Sequence, residues 1–577
     1  MKSPLIVVLL CVLTAGCRVN QETIRQVQQV IDVEKGTTLT CDQTDPTRCA
    51  LTSPFAAYYQ LAEQRQTNHM LLLDHGEQSL LARIHLIRSA RESIQIQTFI
   101  WVNDEAGHLV LRELLAAAQR GVKVEVIIDQ LFSLGNSWLM TDLATLHQNL
   151  SIKLYNPVFS DAHTSPFEFF SAMACCMARL NKRMHNKTFV VDNKYGIVGG
   201  RNYQSRYYDW DEGFNYKDRD VMAIGPVVND ITNSFASYWQ SPHVVPAEHL
   251  RDVSAKILNG IRSEFDWNQA IPEKGIKLIE QAKDQQHIIE TFFDDVVTVE
   301  RVEYFSDTHD KPFNRKTRQE NKQLTQKIHQ YFADAQHQIL IQTPYLVFSR
   351  KARKTLKKLR RQHPDLMIRV STNSLASTDA YYVYAISMKY KRFYLKKLDM
   401  QIYEFKDKPG MSDQLFSQTH ISPSTRFGMH GKSFVIDGHI SMIGSHNFDP
   451  RSDVLNTESG FIVFSEEFAD RLTENIETDM KDANSWVVAA KEQIPFFSHI
   501  SGFMATISRK LPIFDIWPFR YSTSYRLRQG HAEVPPDHPD FYKNYEVIGS
   551  FPNVNLSSKQ IQTIIISAFA GFAEPVM

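Results

Sequence analysis

Short runs of alternating apolar and polar residues recur along the chain, and they recur as a set. Ser93-Ile94-Gln95-Ile96-Gln97-Thr98-Phe99 is one such run, and Gln338-Ile339-Leu340-Ile341-Gln342-Thr343-Pro344 reads like it. Each is a β-rich segment after a helix-like stretch. Helical patterns follow at 109–120 and 353–361, then strand-like runs at 122–128 and 367–371, then short strands near 152–154 and 401–403. Four elements repeated in the same order predict an internal duplication.

Strands alternating with helices place the fold in the α/β class. The boundaries predict a first lobe at about 55–255 and a second at about 300–485. Residues 256–299 carry many charges, including Lys283-Asp284 and Asp294-Asp295, and little apolar periodicity, so they read as a connector. Residues 18–54 form an N-terminal extension, and 486–577 a tail belonging to neither repeat.

Composition changes this picture little. The chain has 577 residues, 43% hydrophobic and 22% charged, which is ordinary for globular protein. Lys plus Arg and Asp plus Glu both total 64, so the formal net charge is zero. A general nucleic-acid binder shows a basic excess, and its absence weighs against DNA or RNA as partner.

The first residues add a location. Lys2 precedes an apolar run from Pro4 to Leu13, too short for the roughly 20 residues that span a bilayer. It reads as a secretory signal over 1–17. Thr14-Ala15-Gly16-Cys17 is similar to a bacterial lipoprotein cleavage site, with Thr14 where leucine is usual and Cys17 as the lipidated residue. Arg18 replaces the aspartate that retains lipoproteins at the inner membrane, so the expected place is the outer membrane, facing the periplasm. Cys41 and Cys49 are then candidates for a local disulfide. The adjacent Cys175 and Cys176 match no metal spacing and read as packing residues.

Each half ends in a histidine motif. The first is His185-Asn186-Lys187, then Asp192, then Gly199-Gly200-Arg201-Asn202; the second is His430-Gly431-Lys432, then Asp437, then Gly444-Ser445-His446-Asn447. His185 lies 88 positions after Gln97, and His430 lies 88 after Gln342. These residue types suit phosphodiester chemistry. In an extended segment His and Lys two apart share a face. One imidazole can attack phosphorus, and a second can protonate the leaving alcohol. Two lysines can hold the nonbridging oxygens as point charges, with Asn202, Asn447 and Ser445 as hydrogen-bond donors. Gly199, Gly200 and Gly444 let backbone approach a phosphate. A carboxylate sets the histidine tautomer. Asp220 is the candidate for the first half, with Asp218 competing, and Glu458 is the candidate for the second. Asp192 and Asp437 complete the motifs, with structural roles near the site. The scheme calls for no metal and no cofactor.

The paired motifs resemble those of the phospholipase D superfamily. The resemblance implies two lobes, each a mixed β-sheet flanked by helices, packed as a pseudo-dimer around one active site. It also implies His185 as nucleophile and His430 as acid and base, an order that the residues alone leave open. Residues 97–104, 372–379 and 447–458 are similar to segments of bacterial cardiolipin synthases. Over about 55–485 the chain is therefore expected to act on phospholipid phosphodiesters, by hydrolysis to phosphatidic acid or by phosphatidyl transfer. Its expected partners are phospholipid and the membrane surface. A nuclease of the same superfamily and a silent lipid-binding lipoprotein are the alternatives. Three further segments bear on a lipid substrate. Residues 166–180 are aromatic-rich and precede His185; residues 494–519 mix aromatics with cations; and the basic run 350–361 reads as a solvated helix face.

Overall fold

The computed structural model describes residues 19–41, 49–131, 137–262, 267, 270–314, 320, 322–417, 422–491 and 521–554. The expected signal segment with Cys17 and the aromatic tail segment 494–519 lie outside them.

Two large mixed sheets carry the fold. The first has nine strands in the order Val244–Pro246, Leu150–Tyr155, Lys123–Asp129, Ser93–Thr98, Thr188–Val191, Tyr195–Gly199, Asp220–Ile224, Asn68–Leu73 and Val296–Val299. The second repeats that order as Ser485–Ala490, Met400–Phe405, Met367–Asn373, Gln338–Gln342, Ser433–Ile436, Ile440–Gly444, Ser459–Phe464 and Arg301–Ser306. In both, three successive strands before the histidine motif pair in parallel (Ser93–Thr98, Lys123–Asp129 and Leu150–Tyr155; Gln338–Gln342, Met367–Asn373 and Met400–Phe405), whereas the strands after it, and the first strand of each lobe, pair antiparallel. The duplication is thus one of topology as well as of sequence.

The alternation explains how the sheets bury. Ile94 and Ile96 turn into the lobe-one core, and Ile339 and Ile341 into that of lobe two. Helix Arg350–Gln362, capped by Ser349 through the Ala352 N–H at 3.2 Å, buries Ala352, Leu356 and Leu359 on one face. Most of its cations remain on the solvent side, while Arg353 stacks on Tyr390 at 3.9 Å. A third apolar cluster takes Val190, Val198 and Val221 from the first sheet and Val435, Ile443 and Phe461 from the second. The two lobes therefore share a core and form the expected pseudo-dimer.

Three segments differ from expectation. The connector folds: helices Glu273–Lys283 and Gln285–Phe292 bury Leu278, Ala282, Ile288 and Phe292 in lobe one. Asp284 caps the second helix through the amides of Gln286 and His287, and this break between two short helices hides the apolar period. Residues beyond 485 supply Ser485–Ala490, Ser522–Leu527 and Tyr545–Gly549, which extend the second sheet. Cys176 is disulfide-bonded rather than a packing thiol. The N-terminal extension forms helix Gln21–Glu34, with Val27 and Ile31 in the lobe-one core, and Cys41 is joined to Cys49.

Candidate active site

Two small cross-lobe ladders set the histidines. Strand Arg183–Met184 of lobe one pairs in parallel with Asn456–Thr457 of lobe two, and the His185 N–H donates to the Thr457 carbonyl at 3.0 Å. Strand Arg426–Met429 of lobe two pairs in parallel with Phe214–Lys217 of lobe one, and the His430 N–H donates to the Lys217 carbonyl at 2.7 Å. Each histidine thereby faces the residue that follows its partner strand. His185 Nδ1 lies 2.8 Å from Glu458 Oε2, and His430 Nδ1 lies 2.5 Å from Asp218 Oδ2. Each lobe's histidine is oriented by the other lobe's carboxylate, so neither half is complete alone.

Asp220 is not the carboxylate beside His430. It accepts from Ser79 Oγ at 2.8 Å and Arg83 at 2.9 Å, and it lies 3.4 Å from Arg201. Sheet register explains the difference. Gly199 pairs with Asp220 and Gly444 pairs with Gly460, so Asp220 corresponds to Gly460, and Asp218 corresponds to Glu458. The two aspartates lie two apart on one face of an extended chain. Aligning Asp218-Arg219-Asp220-Val221 with Glu458-Ser459-Gly460-Phe461 exposes the correct partner.

The remaining expected site residues fall into distinct places. Lys187 and Lys432 are buried and donate to the carbonyls of their own histidines, at 2.7 and 2.5 Å. Lys432 Nζ also lies 2.9 and 3.2 Å from the His430 ring nitrogens. Asn202 Oδ1 accepts from the Ile100 N–H at 3.0 Å, whereas Asn447 Oδ1 is buried with no partner among the described residues. Ser445 is committed elsewhere: its hydroxyl donates to Glu458 Oε2 at 2.5 Å and accepts from the Ser459 N–H at 3.0 Å. It supports the carboxylate that faces His185. The glycines also make room for carboxylates and backbone. A Cβ on Gly200 would meet Asp218 Oδ1 at 2.2 Å, one on Gly199 would meet Asp220 Oδ1 at 2.0 Å, and one on Gly444 would meet the Ser459 carbonyl at 2.3 Å.

Asp192 and Asp437 lie away from the histidines, at the opposite ends of their strands. Both adopt positive φ in the turn that follows, at 51° and 50°. Asp192 accepts from the amides of Arg91, Glu92 and Ser93, and Asp437 from those of Gln336, His337 and Gln338. They fasten the start of the strand that precedes each motif, satisfying amides that lack a ladder partner.

Three aromatic residues pack against the two histidine rings. Phe99 meets the His185 ring edge-on at 5.0 Å, and Tyr207 and Tyr216 lie 5.2 and 5.1 Å from the His430 ring. Asp379 accepts from Tyr216 at 3.1 Å and from Tyr345 at 2.8 Å. Nothing in aromatic spacing singles these out, because chain crossings assemble them.

Burial governs the protonation states. It is the main force pushing the His185 imidazole down to about 3 and the Lys187 ammonium down to about 7. His430 and Lys432 are lowered for the same reason, with Lys432 the next influence on His430. Burial by itself raises Glu458 and Asp218, but the facing histidine and lysines hold both below the usual carboxylate range. Ionised carboxylates therefore accept from Nδ1–H of both rings; for the neutral His185 ring this leaves the Nε2 lone pair for attack, while His430 Nε2 lies 3.2 Å from Lys432 Nζ.

The low value at His185 couples to stability. The unfolded chain takes up this proton near its ordinary 6.5, while the folded chain resists it to about 3. Stability is complete above that upper value and falls as pH drops through the window. Thermal melts should show the fall, with a shallower slope in His185→Asn near the upper end. An unchanged slope would mean that the folded ring is not held neutral.

A duplicated mixed sheet that brings one histidine–lysine pair from each half to a shared site defines a member of the phospholipase D superfamily. Residues 83–239 and 328–480 match the family described as cardiolipin synthase, PLD-like domain, and the chain belongs to that family. It is 31% identical over 416 residues to cardiolipin synthase C of Escherichia coli K12, covering 71% of this chain and 84% of that one. It is 25% identical over 425 residues to cardiolipin synthase B of the same strain, covering 71% and 80%. Among solved structures it is similar to phosphatidylserine synthase of Haemophilus influenzae, with a TM-score of 0.50 and 14% identity over 80% of this chain and 99% of that one; that likeness concerns the fold.

Proposed function

We propose that the chain transfers a phosphatidyl group through a phosphohistidine, acting on phospholipids at the periplasmic face of a bacterial outer membrane to which lipidated Cys17 tethers it. The observation that carries this reading is the crossed pair of buried histidine–carboxylate contacts, each built from both lobes. His185 Nε2 attacks phosphorus as the P–O bond to the departing alcohol breaks, and His430, entering this step as an imidazolium paired with the Asp218 carboxylate, gives that oxygen its Nε2 proton and becomes neutral. His430 then takes a proton from the incoming alcohol or water, whose oxygen displaces Nε2. Lys187, Lys432 and the amides of Asn202 and Asn447 bind the nonbridging oxygens.

Three features support a lipid at an envelope surface. The family is one of cardiolipin synthase domains. Helix Pro166–Cys175, just before His185, exposes Phe167 at 74% and Phe170 at 70% one turn apart. That face suits insertion among lipid headgroups. The Cys41–Cys49 disulfide suits an oxidising compartment. Among the described residues, no helix is long and apolar enough to cross a membrane.

The test presents phosphatidylglycerol vesicles, phosphatidylethanolamine vesicles and DNA to purified protein. Cardiolipin as product indicates transfer to an alcohol, and phosphatidic acid indicates hydrolysis. Cleavage of DNA with untouched lipid would replace this reading with a nuclease.

A further inference from the structure

Away from the catalytic pair, three ligand-type side chains converge where the lobes meet. His243 lies between helix Val228–Trp239 and strand Val244–Pro246 of lobe one. His309 and Asp310 follow strand Arg301–Ser306 of lobe two. All three positions fall outside the family-matched segments. We infer that His243, His309 and Asp310 form a binding site for a divalent transition metal of the zinc class, which clips the two lobes together beside the active site.

The geometry fits that ion. His243 Nε2 lies 3.2 Å from Asp310 Oδ1, and His309 Nδ1 lies 3.3 Å from the same oxygen. One ligand atom from each residue lies within 4.8 Å of the other two. Tetrahedral zinc with bonds of about 2.0–2.1 Å separates its ligands by roughly 3.3 Å. Two edges of the triangle already have that length. Two imidazoles and one carboxylate also form a ligand set that zinc accepts, and three protein ligands leave a fourth position open.

The surroundings hold the ligands in place. The His243 ring stacks on Phe313 at 3.7 Å, and its carbonyl accepts from the Asn156 N–H at 2.8 Å. The His309 carbonyl accepts from Tyr155 Oη at 3.1 Å, and His309 Nδ1 lies 3.1 Å from Ser241 Oγ. Metal binding would exchange that last contact for a stronger bond. A cavity of about 640 Å³, lined in part by Asn156, Arg179, His243 and Phe313, opens beside the site and gives an ion access.

The segment also touches the catalytic machinery. Asp307, two residues before His309, donates its N–H to the Glu458 carbonyl at 2.8 Å and accepts from the Glu458 N–H at 3.0 Å. Fixing His309 thus steadies the backbone that presents Glu458 to His185.

Full-length protein is stripped with chelator, exposed to zinc, passed through gel filtration and analysed for bound metal. Wild type should retain one equivalent more than His243→Gln and more than Asp310→Asn. Zinc should raise the melting temperature of wild type and leave both variants unmoved. Circular dichroism confirms that the variants fold, and His243, the more peripheral ligand, is the safer substitution. Cobalt substituted for zinc should give the visible absorption of a tetrahedral site in wild type alone. Equal metal content and equal melting shifts in wild type and both folded variants would overturn the site and leave a metal-free His–Asp–His contact. None of these readouts depends on the phosphatidyl-transfer reading.

Discussion

Asp218→Asn should lower turnover by about 10²–10⁴-fold while leaving the fold intact, the range expected when a positioned acid–base histidine loses its orienting carboxylate. The asparagine carbonyl can keep the Arg219 N–H bond that Asp218 Oδ1 accepts at 2.8 Å. Its amide NH₂ then faces His430 Nδ1, which must become the acceptor. The proton moves to Nε2, and the lone pair needed for proton transfer is lost. The kcat/KM limb that reports His430 should shift along with the fall in rate. Asp220→Asn should behave oppositely. It removes charge from beside buried Arg83 and Arg201, and breaking such a pair costs about 3–5 kcal/mol. The surviving folded fraction should turn over at close to the normal rate. A well-folded but inactive Asp220→Asn beside a fully active Asp218→Asn would reverse the assignment.

That contrast marks how far the sequence could be read. The duplication was legible because short apolar alternation and histidine spacing are local and repeat, and the sheets then repeat the same strand order. Glu458 was legible because Gly460 leaves a single carboxylate in its stretch. Asp218 was ambiguous because Asp220 offers a second carboxylate on the same face, and only the pairing of Gly199 with Asp220 separates them. The connector was misjudged because Asp284 divides its apolar period between two short helices. The contacts of Ser445, Gly199 and Gly200 with carboxylates have no local signal, because those carboxylates arrive from remote strands. Tyr207 and Tyr216 carry no local signal, since the lobe interface brings them to His430.

The division of labour between the histidines should show most clearly with a substrate whose leaving group needs no proton, such as a phosphatidyl p-nitrophenol. His430→Asn should still release nitrophenol in a single burst near one equivalent, because His185 Nε2 can attack and a good leaving group departs unaided. Turnover should then stop, since no base remains to activate the acceptor, and acid-labile phosphate should remain on His185. With a natural alcohol leaving group the same variant should lose the burst as well, and its steady rate should fall by about 10²–10⁴-fold. His185→Asn should give no burst with either substrate, because the atom that would carry the phosphatidyl group is gone. The buried, neutral state of the His185 ring supports this role, since a protonated imidazole has no lone pair with which to attack. The crossed carboxylates supply both rings with the same tautomer, so the roles are separated by which ring faces phosphorus and which faces the alcohol. A burst in His185→Asn, with phosphate trapped on His430, would exchange the two roles while leaving the two-lobed site unchanged.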